Sequence, residues 1–359
     1  MHKRFCLSLP FSCLSLIRCA VFFIIDRMQK LYYNILGVDT ERGKETMKVV
    51  ITGNYPEAAK GRIRESFPTG WEVRIVSPGE LEAELATADV LIPEHVQINA
   101  ALLEKAPELK LVQTGSGYDN VDLEACTRYG VQACNAAGVN ANAVAEHVMA
   151  FILCRYKNIL YLDNFMKAHK TDTELNYTGA ELSSKTIGIL GMGNVGKLVA
   201  QYCRAFGMTV LGYSRSGFEL PGIRSCTPEE LYRESDILTV HMPLTAGTRH
   251  MINESVFRQM KPDALLINTS RGAIIEEEYL IRAVRERQIG GACLDVYENE
   301  PLPPNHPLRD LENVILTPHT AGLPDGVKYH RKRYEFFIRN IEKVMRNEKP
   351  DCMLNEIIR

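Results

Sequence analysis

The stretch TIGILGMGNVG, residues 186–196, decides the fold. Thr186 to Leu190 is a short apolar run with the length and composition of a buried strand. It leads directly into Gly191, Gly193 and Gly196 at G-x-G-x-x-G spacing, and a helix-like stretch follows over 197–206. Strand, glycine turn and helix in that order are the context in which this spacing carries meaning. Gly191 permits the tight turn, Gly193 lets backbone approach a pyrophosphate, and Gly196 lets helix and strand pack closely. Asn194 and Val195 lie in the same turn, where a helix N-terminus offers unpaired N–H groups and partial positive charge to phosphates. The pattern expects an acid for the ribose hydroxyls about 20 residues on. Here that place reads Tyr213-Ser214-Arg215-Ser216. Without the acid a 2′-phosphate is no longer repelled, Arg215 can pair with it, and Ser216 can donate to it. NADP(H) is therefore expected to be preferred, with NAD(H) still possible.

Outward from this motif the chain alternates short apolar runs with longer amphipathic segments. Strands are expected at 48–52, 72–76, 90–93, 109–114 and 130–134, with helices over 55–65, 79–86 and 99–106. A long helix is expected over 142–162, either as a connector between two domains or as a core helix. A second series of strands follows at 186–190, 209–213, 237–241, 264–268, 291–296 and 314–317, then a last helix over 327–347. The alternation predicts an α/β chain with two parallel-sheet domains, Rossmann-like or flavodoxin-like, and a cleft between them. The expected division is a substrate-binding domain over 47–145 plus 323–359 and a dinucleotide-binding domain over 146–322.

Composition narrows the function classes. The 359 residues are 45% hydrophobic and 24% charged with a net charge of −2, so no broad footprint for nucleic acid exists. The basic run from His330 to Arg333 reads as a solvated helix face. Ten cysteines occur without a C-x-x-C pair, so no metal spacing is visible, and those after residue 100 read as buried free thiols of a reducing, cytoplasmic compartment. Residues 1–46 stand apart. Lys3 and Arg4 precede an apolar stretch over 5–25 that is interrupted by Arg18. This extension is expected to be disordered, artefactual or a targeting segment, and membrane attachment is expected only if residues 5–25 anchor it.

Three segments after expected strands carry reactive polar groups. INTSRG, 267–272, delivers Thr269, Ser270 and Arg271, whose fork of donors matches a carboxylate. LDVYENEP, 294–301, delivers Asp295, Glu298 and Glu300, and LTPHTAG, 316–322, delivers His319, a residue able to move a proton near neutral pH. Alone, each has an ordinary structural reading: a salt bridge, exposed loop acids, a strand-end histidine. Together they supply a cation for an acid, a proton shuttle for a carbonyl oxygen and a carboxylate to tune it.

GMGNVG, HMPLT, INTSRG, LDVYENEP and TPHTAG, in this order, with GSGYDNVD at 115–122 and VAEH at 144–147, resemble the D-isomer-specific 2-hydroxyacid dehydrogenase family. The similarity runs from about Met47 to the C-terminus. It implies an Arg–Glu–His catalytic set on Arg271, Glu300 and His319, and a nicotinamide contact at Asp295. It also implies further cofactor contacts at Pro243, Thr269 and Ser270, and a substrate carboxylate held by Gly115, Ser116 and Gly117 together with Arg271. The activity implied is reduction of a small 2-oxo acid to its D-2-hydroxy acid, with glyoxylate and hydroxypyruvate as the substrates an NADPH-linked member suggests. A homodimer is expected from the family. A short-form D-3-phosphoglycerate dehydrogenase remains open and would need further cations, for which Lys110 and Arg155 are candidates. A nucleotide-sensing corepressor of the same fold also remains open.

Overall fold

The computed structural model describes residues 47–94, 96–176, 178–326 and 329–356. The expected extension, 1–46, and the expected start of the last helix at 327 lie outside them. The first series of elements is β1 (Lys48–Thr52), α1 (Glu57–Ser66), β2 (Glu72–Val76), α2 (Glu82–Leu85), β3 (Val90–Ile92), α3 (Ala100–Glu104), β4 (Leu111–Gln113), α4 (Leu123–Arg128) and β5 (Gln132–Cys134). Side chains set the helix starts, as Asn99 accepts from the Leu102 N–H and Asp122 from the Ala125 N–H. All five strands are parallel in the order β2-β1-β3-β4-β5. The order reverses between β1 and β3, which makes their carboxyl ends a natural ligand position.

Two helices, α5 (Ala141–Tyr156) and α6 (Ile159–Lys167), replace the single helix expected over 142–162. The break is Asn158, held at φ +47. Asparagine visits this left-handed region more readily than other side-chain-bearing residues because its short polar group bonds locally. α5 is a core helix: Ala145, Val148, Met149, Phe151 and Ile152 are buried with Val199, Ala200 and Cys203.

The second series is β6 (Thr186–Leu190), α7 (Asn194–Ala205), β7 (Thr209–Tyr213), β8 (Arg224–Ser225), α8 (Pro228–Glu234), β9 (Ile237–Val240), α9 (Glu254–Phe257), β10 (Leu265–Asn268), α10 (Glu277–Arg285), β11 (Gly291–Leu294), β12 (Val314–Leu316) and α11 (Arg331–Met345). Seven parallel strands run β12-β11-β10-β9-β6-β7-β8, the Rossmann order with one strand added. The sheet is apolar on both faces, as a parallel sheet between helices must be. Ile187, Ile189, Leu265 and Ile267 enter one core, while Leu190, Leu238, Leu266 and Leu294 enter the other.

Register positions the site. Leu190 pairs with Tyr213 and Val240, Val240 with Asn268, Asn268 with Leu294, and Leu294 with Leu316. These strands therefore end level, and the next residues, Gly191, Ser214, His241, Thr269, Asp295 and Thr317, stand in one row. The chain returns to the first sheet at its end. Asn340 of α11 donates to the Gln113 side chain at 2.8 Å, and Asn355 accepts from the Ala133 N–H at 2.8 Å.

Cys126, Cys134, Cys203, Cys226 and Cys293 are buried free thiols. Cys154 is only half-buried and Cys352 is exposed, which corrects the expectation of burial there. Among the described residues no helix is long and apolar enough to cross a membrane, and no cluster of three or more His, Cys, Asp or Glu could hold a metal ion.

Candidate active site

The glycine turn after β6 is built by contacts that exclude side chains. Gly191 sits at φ +104, and a Cβ there would lie 2.5 Å from the carbonyl oxygen of His241 on the neighbouring strand end. A Cβ on Gly196 would lie 2.1 Å from the carbonyl oxygen of Gly191, so helix and strand meet only because it is absent. Gly193 has open space where its Cβ would be. The helix starts at Asn194, inside the motif rather than at residue 197, because Gly193 takes the capping position. The N–H groups of Asn194, Val195 and Gly196 thus belong to a first turn that has no helical acceptors for them. This cradle fits a dinucleotide pyrophosphate.

After β7, Ser214 to Gly217 form a turn closed by the Gly217 N–H donating to the Ser214 carbonyl at 3.0 Å, with Gly217 at φ +70. Ser214 Oγ and Ser216 Oγ are 3.3 Å apart, and Arg215 is exposed. After β9, His241 is 3.0 Å from Thr239 Oγ1, and burial pushes its pKa down to about 3, so it is neutral near pH 7. Pro243 lies exposed in the loop that follows.

After β10, Asn268 shapes the turn that carries the arginine. Its Oδ1 accepts from Ser270 N–H at 3.0 Å and from Ser270 Oγ at 2.7 Å, and its Nδ2 donates to the Arg271 carbonyl at 2.8 Å. Thr269 Oγ1 is buried with no hydrogen-bond partner, an orphan that a ligand in the row of strand ends would satisfy. Arg271 donates through Nε to Asp119 at 2.8 Å and through Nη1 to the Ser270 carbonyl at 2.8 Å. Its Nη2 lies against Gly117, where a Cβ would be 1.4 Å away, so only glycine admits the arginine.

Gly115, Ser116 and Gly117 follow β4. Asn135 donates to the Ser116 carbonyl at 2.9 Å, the Ala136 N–H donates to the Gly115 carbonyl at 2.8 Å, and Ser116 Oγ donates to Asn140 at 2.6 Å. The loop is therefore held by its oxygens, and no backbone carbonyl among the described residues takes the N–H groups of Ser116 and Gly117.

Glu300 and His319 meet at 2.6 Å through Oε2 and Nδ1, and Glu300 Oε1 accepts from the Tyr297 N–H at 3.1 Å. Burial opposes charge on His319, but the hydrogen bond and negative charge of Glu300 outweigh it, and the imidazole titrates above its ordinary value. Burial likewise opposes charge on Glu300, and His319 with Arg271 nearby outweighs it, holding the carboxyl below its ordinary value. His319 stands at φ +54 in a turn fixed by Asp295. The fully buried Asp295 carboxylate accepts from Thr317 Oγ1 at 2.6 Å and from the N–H groups of Thr320 and Ala321 at 2.9 Å each. His147 Nε2 lies 3.1 Å from Thr317 Oγ1, behind that contact.

Several expectations are corrected here. Glu298 turns away from the site and pairs with His250 at 2.9 Å. Lys110 pairs with Asp89 at 3.0 Å at the amino end of β4, and Arg155 donates to the Gly290 carbonyl just before β11; both lie at the edge opposite the site. The basic run 330–333 is only half solvated: Arg331 and Lys332 are exposed, whereas His330 is buried and Arg333 turns inward to Glu94. Asp119, Asn140, Asn268, Thr317 and His147 were not singled out from sequence. Asp119, His147, Asn268 and Thr317 sit inside GSGYDNVD, VAEH, INTSRG and TPHTAG, so those segments carried the signal; Asn140 had only ordinary polar character.

The family model described as D-isomer specific 2-hydroxyacid dehydrogenase, NAD binding domain, matches residues 149–321. A glyoxylate reductase of Aeropyrum pernix is 44% identical over 238 residues, covering 63% of this chain and 71% of that relative. A D-3-phosphoglycerate dehydrogenase of Archaeoglobus fulgidus is 34% identical over 285 residues, covering 77% of this chain and 53% of the relative. Among solved structures, an acyclic imino acid reductase, Bsp5, in complex with NADPH and D-Arg superposes with a TM-score of 0.75 at 30% identity, covering 86% of this chain and all of that one.

Proposed function

The chain belongs to the D-isomer-specific 2-hydroxyacid dehydrogenase family, and we propose that it reduces glyoxylate or hydroxypyruvate to the D-2-hydroxy acid with NADPH. It is an oxidoreductase acting on a CH–OH group and its oxidised counterpart. The observation that carries the reading is the 2.6 Å contact between Glu300 and His319 at the same strand edge as Arg271 and the Gly191 turn. Because Glu300 occupies Nδ1 of His319, Nε2 is the nitrogen that faces a reacting oxygen.

The N–H groups of the Gly191–Gly196 turn would hold the pyrophosphate, Pro243, Thr269 and Ser270 would lie along the nicotinamide half, and Asp295 would be the acceptor offered to its carboxamide. Bound in reduced form, the cofactor supplies the hydride. Arg271 Nη2 and the Ser116 and Gly117 N–H groups hold the substrate carboxylate. His319 donates its proton to the oxygen of the carbonyl as that carbon is reduced, and takes it back in the oxidative direction. Glu300 keeps the imidazolium available by stabilising its charge. Ser214, Arg215 and Ser216 would receive the 2′-phosphate.

The division into 47–145 plus 323–359 for the substrate and 146–322 for the cofactor accompanies this reading. Ile159, Leu160, Tyr161 and Met166 leave an exposed apolar face on α6 that suits a second copy of the chain, in keeping with a homodimer. The free thiols suit the cytoplasm.

Steady-state oxidation of NADPH and NADH with a panel of 2-oxo acids tests the reading. kcat/KM is expected to be higher with NADPH, and Ser214→Asp is expected to reverse the ratio by restoring repulsion of the 2′-phosphate. A higher value with NADH in the wild type sinks the cofactor assignment. The Archaeoglobus relative favours a second reading, D-3-phosphoglycerate oxidation; a phosphorylated acid leading the panel would select it.

A further inference from the structure

The turn that presents His319 is held by a hydrogen-bonded chain ending on a side chain that the proposed reaction leaves unused. Thr317, the first residue after β12, sits at its centre. Its carbonyl accepts from the His319 N–H at 3.1 Å and from Tyr297 Oη at 2.9 Å. Its Oγ1 lies 2.6 Å from Asp295 Oδ1 and 3.1 Å from His147 Nε2. His147 belongs to α5, a helix otherwise occupied with core packing, and meets Thr317 across 170 residues of sequence.

The direction of each hydrogen bond follows from the groups. The Asp295 carboxylate only accepts, and it already takes the N–H groups of Thr320 and Ala321 at 2.9 Å each. Thr317 has one hydroxyl proton, and at 2.6 Å that proton is committed to Asp295. What Oγ1 turns toward His147 is therefore a lone pair, and Nε2 must carry a hydrogen. His147 is 4.0 Å from Asp295 Oδ1, too far for a direct hydrogen bond, so it reaches the carboxylate only through Thr317. Burial pushes the imidazole below its ordinary titration against the pull of Asp295. Near neutral pH the ring then has one N–H, and this contact puts it on Nε2. Phe151, one turn along α5, packs edge-on with ring centres 4.5 Å apart and fixes the plane of the imidazole. A leucine or methionine would fill the same place beside Phe151; only a donor answers the lone pair.

On the 2-oxo-acid reading above, we infer that His147 is a positioning residue for His319. Its Nε2–H locks the Thr317 hydroxyl onto Asp295, and the turn from Thr317 to Ala321 then holds the His319 imidazole at the strand edge. The contacts at Thr317, Thr320 and Ala321 bracket His319 on both sides. His319 needs such support, since its φ of +54 lies in a region that side-chain-bearing residues seldom occupy. His147 acts through Thr317 and moves no proton itself.

The test is kcat, KM and NADPH binding by fluorescence titration, on the full chain, in His147→Leu, His147→Gln, Thr317→Val and the double variant of leucine and valine. In His147→Leu, kcat with the best 2-oxo acid of the panel is expected to fall about 10-fold, between one lost hydrogen bond and the roughly 100-fold effect of a 1 Å displacement, with KM and the Kd for NADPH within about twofold of wild type. His147→Gln, whose amide donates at similar reach, is expected to recover most of that loss. In the Thr317→Val background His147→Leu is expected to add nothing, because the lone pair is gone. An unchanged kcat in His147→Leu, an effect carried by KM or Kd, equal losses in the leucine and glutamine variants, or additive effects with Thr317→Val would each overturn the role. A second readout needs no turnover: in the cofactor-free chain the ring ¹⁵N signals of His147 are expected to show a protonated Nε2 and a bare Nδ1, and the opposite tautomer would overturn the directions assigned. Failure of the wild type to reduce any 2-oxo acid with either cofactor, with the Nε2–H tautomer present, overturns the underlying reading rather than the hydrogen-bonded chain.

Discussion

The two sheets place polar groups at their carboxyl edges by different routes. On the second sheet the strands end level, and each candidate residue lies just after a strand: Gly191, Ser214, His241, Thr269, Asp295, Thr317. On the first sheet only the Gly115–Gly117 loop has that local origin. Its neighbours Tyr55, Glu94 and Arg333 come from separate segments, the last from a helix far along the chain. An edge of contiguous motifs, the proposed cofactor side, thus stands against a proposed substrate side assembled by tertiary contact. The two meet where Arg271 reaches Asp119 and Gly117.

This contrast can be broken experimentally, beginning with the largest expected effect. On the second edge, His319→Gln keeps a side chain of similar reach but removes the transferable proton. kcat is expected to fall roughly 100- to 10,000-fold, while NADPH binding, followed by fluorescence titration, is retained. A loss below tenfold would remove His319 from the chemistry. Where the edges meet, Gly117→Ala puts a methyl group where Arg271 Nη2 now lies. Displacing that guanidinium is expected to lower kcat/KM for the oxo acid about 100-fold and leave the cofactor affinity near wild type. A parallel loss of cofactor affinity would mean that the two edges are not separable. The smallest effect is on pH dependence. On the proposed role of His319 reduction needs its protonated form; its folded value is raised above the ordinary one, so activity is expected to be full below the ordinary value and lost as pH rises through the raised one. Glu300→Gln removes the charge that raises it, and the alkaline limb of kcat/KM is expected to move to lower pH. A stationary limb would detach Glu300 from the proton.

The same contrast explains what could be read from sequence. The Gly191 turn, the arginine after β10 and the histidine after β12 follow apolar runs, so strand periodicity and a few residue types located them. The first turn of α7 came three residues early because a glycine cap leaves no compositional mark beyond the motif itself. Asn158 split a helix whose apolar pattern continues on both sides of it. Asp119 lies inside GSGYDNVD, but nothing in that segment sets it apart as Arg271's partner until the arginine arrives from another sheet. Arg333 was read as solvated because charge alone does not say which way a helix faces. It points inward because Phe337, one turn on, shares its side of α11 and is fully buried.

The carboxylate of Asp295 has a consequence for how relatives are to be compared. Two backbone amides and a threonine hydroxyl converge on it, so the site demands acceptors on both oxygens. Asparagine at that position would turn a donor toward an amide or the hydroxyl and loosen the segment that presents His319. An acid is therefore required there by architecture alone, before any nicotinamide arrives. A descendant that had given up hydride transfer and kept only the habit of sensing a nucleotide would still need it. Retention of this aspartate is no diagnostic of turnover; the unclaimed hydroxyl of Thr269 and the proton on His319 are better witnesses.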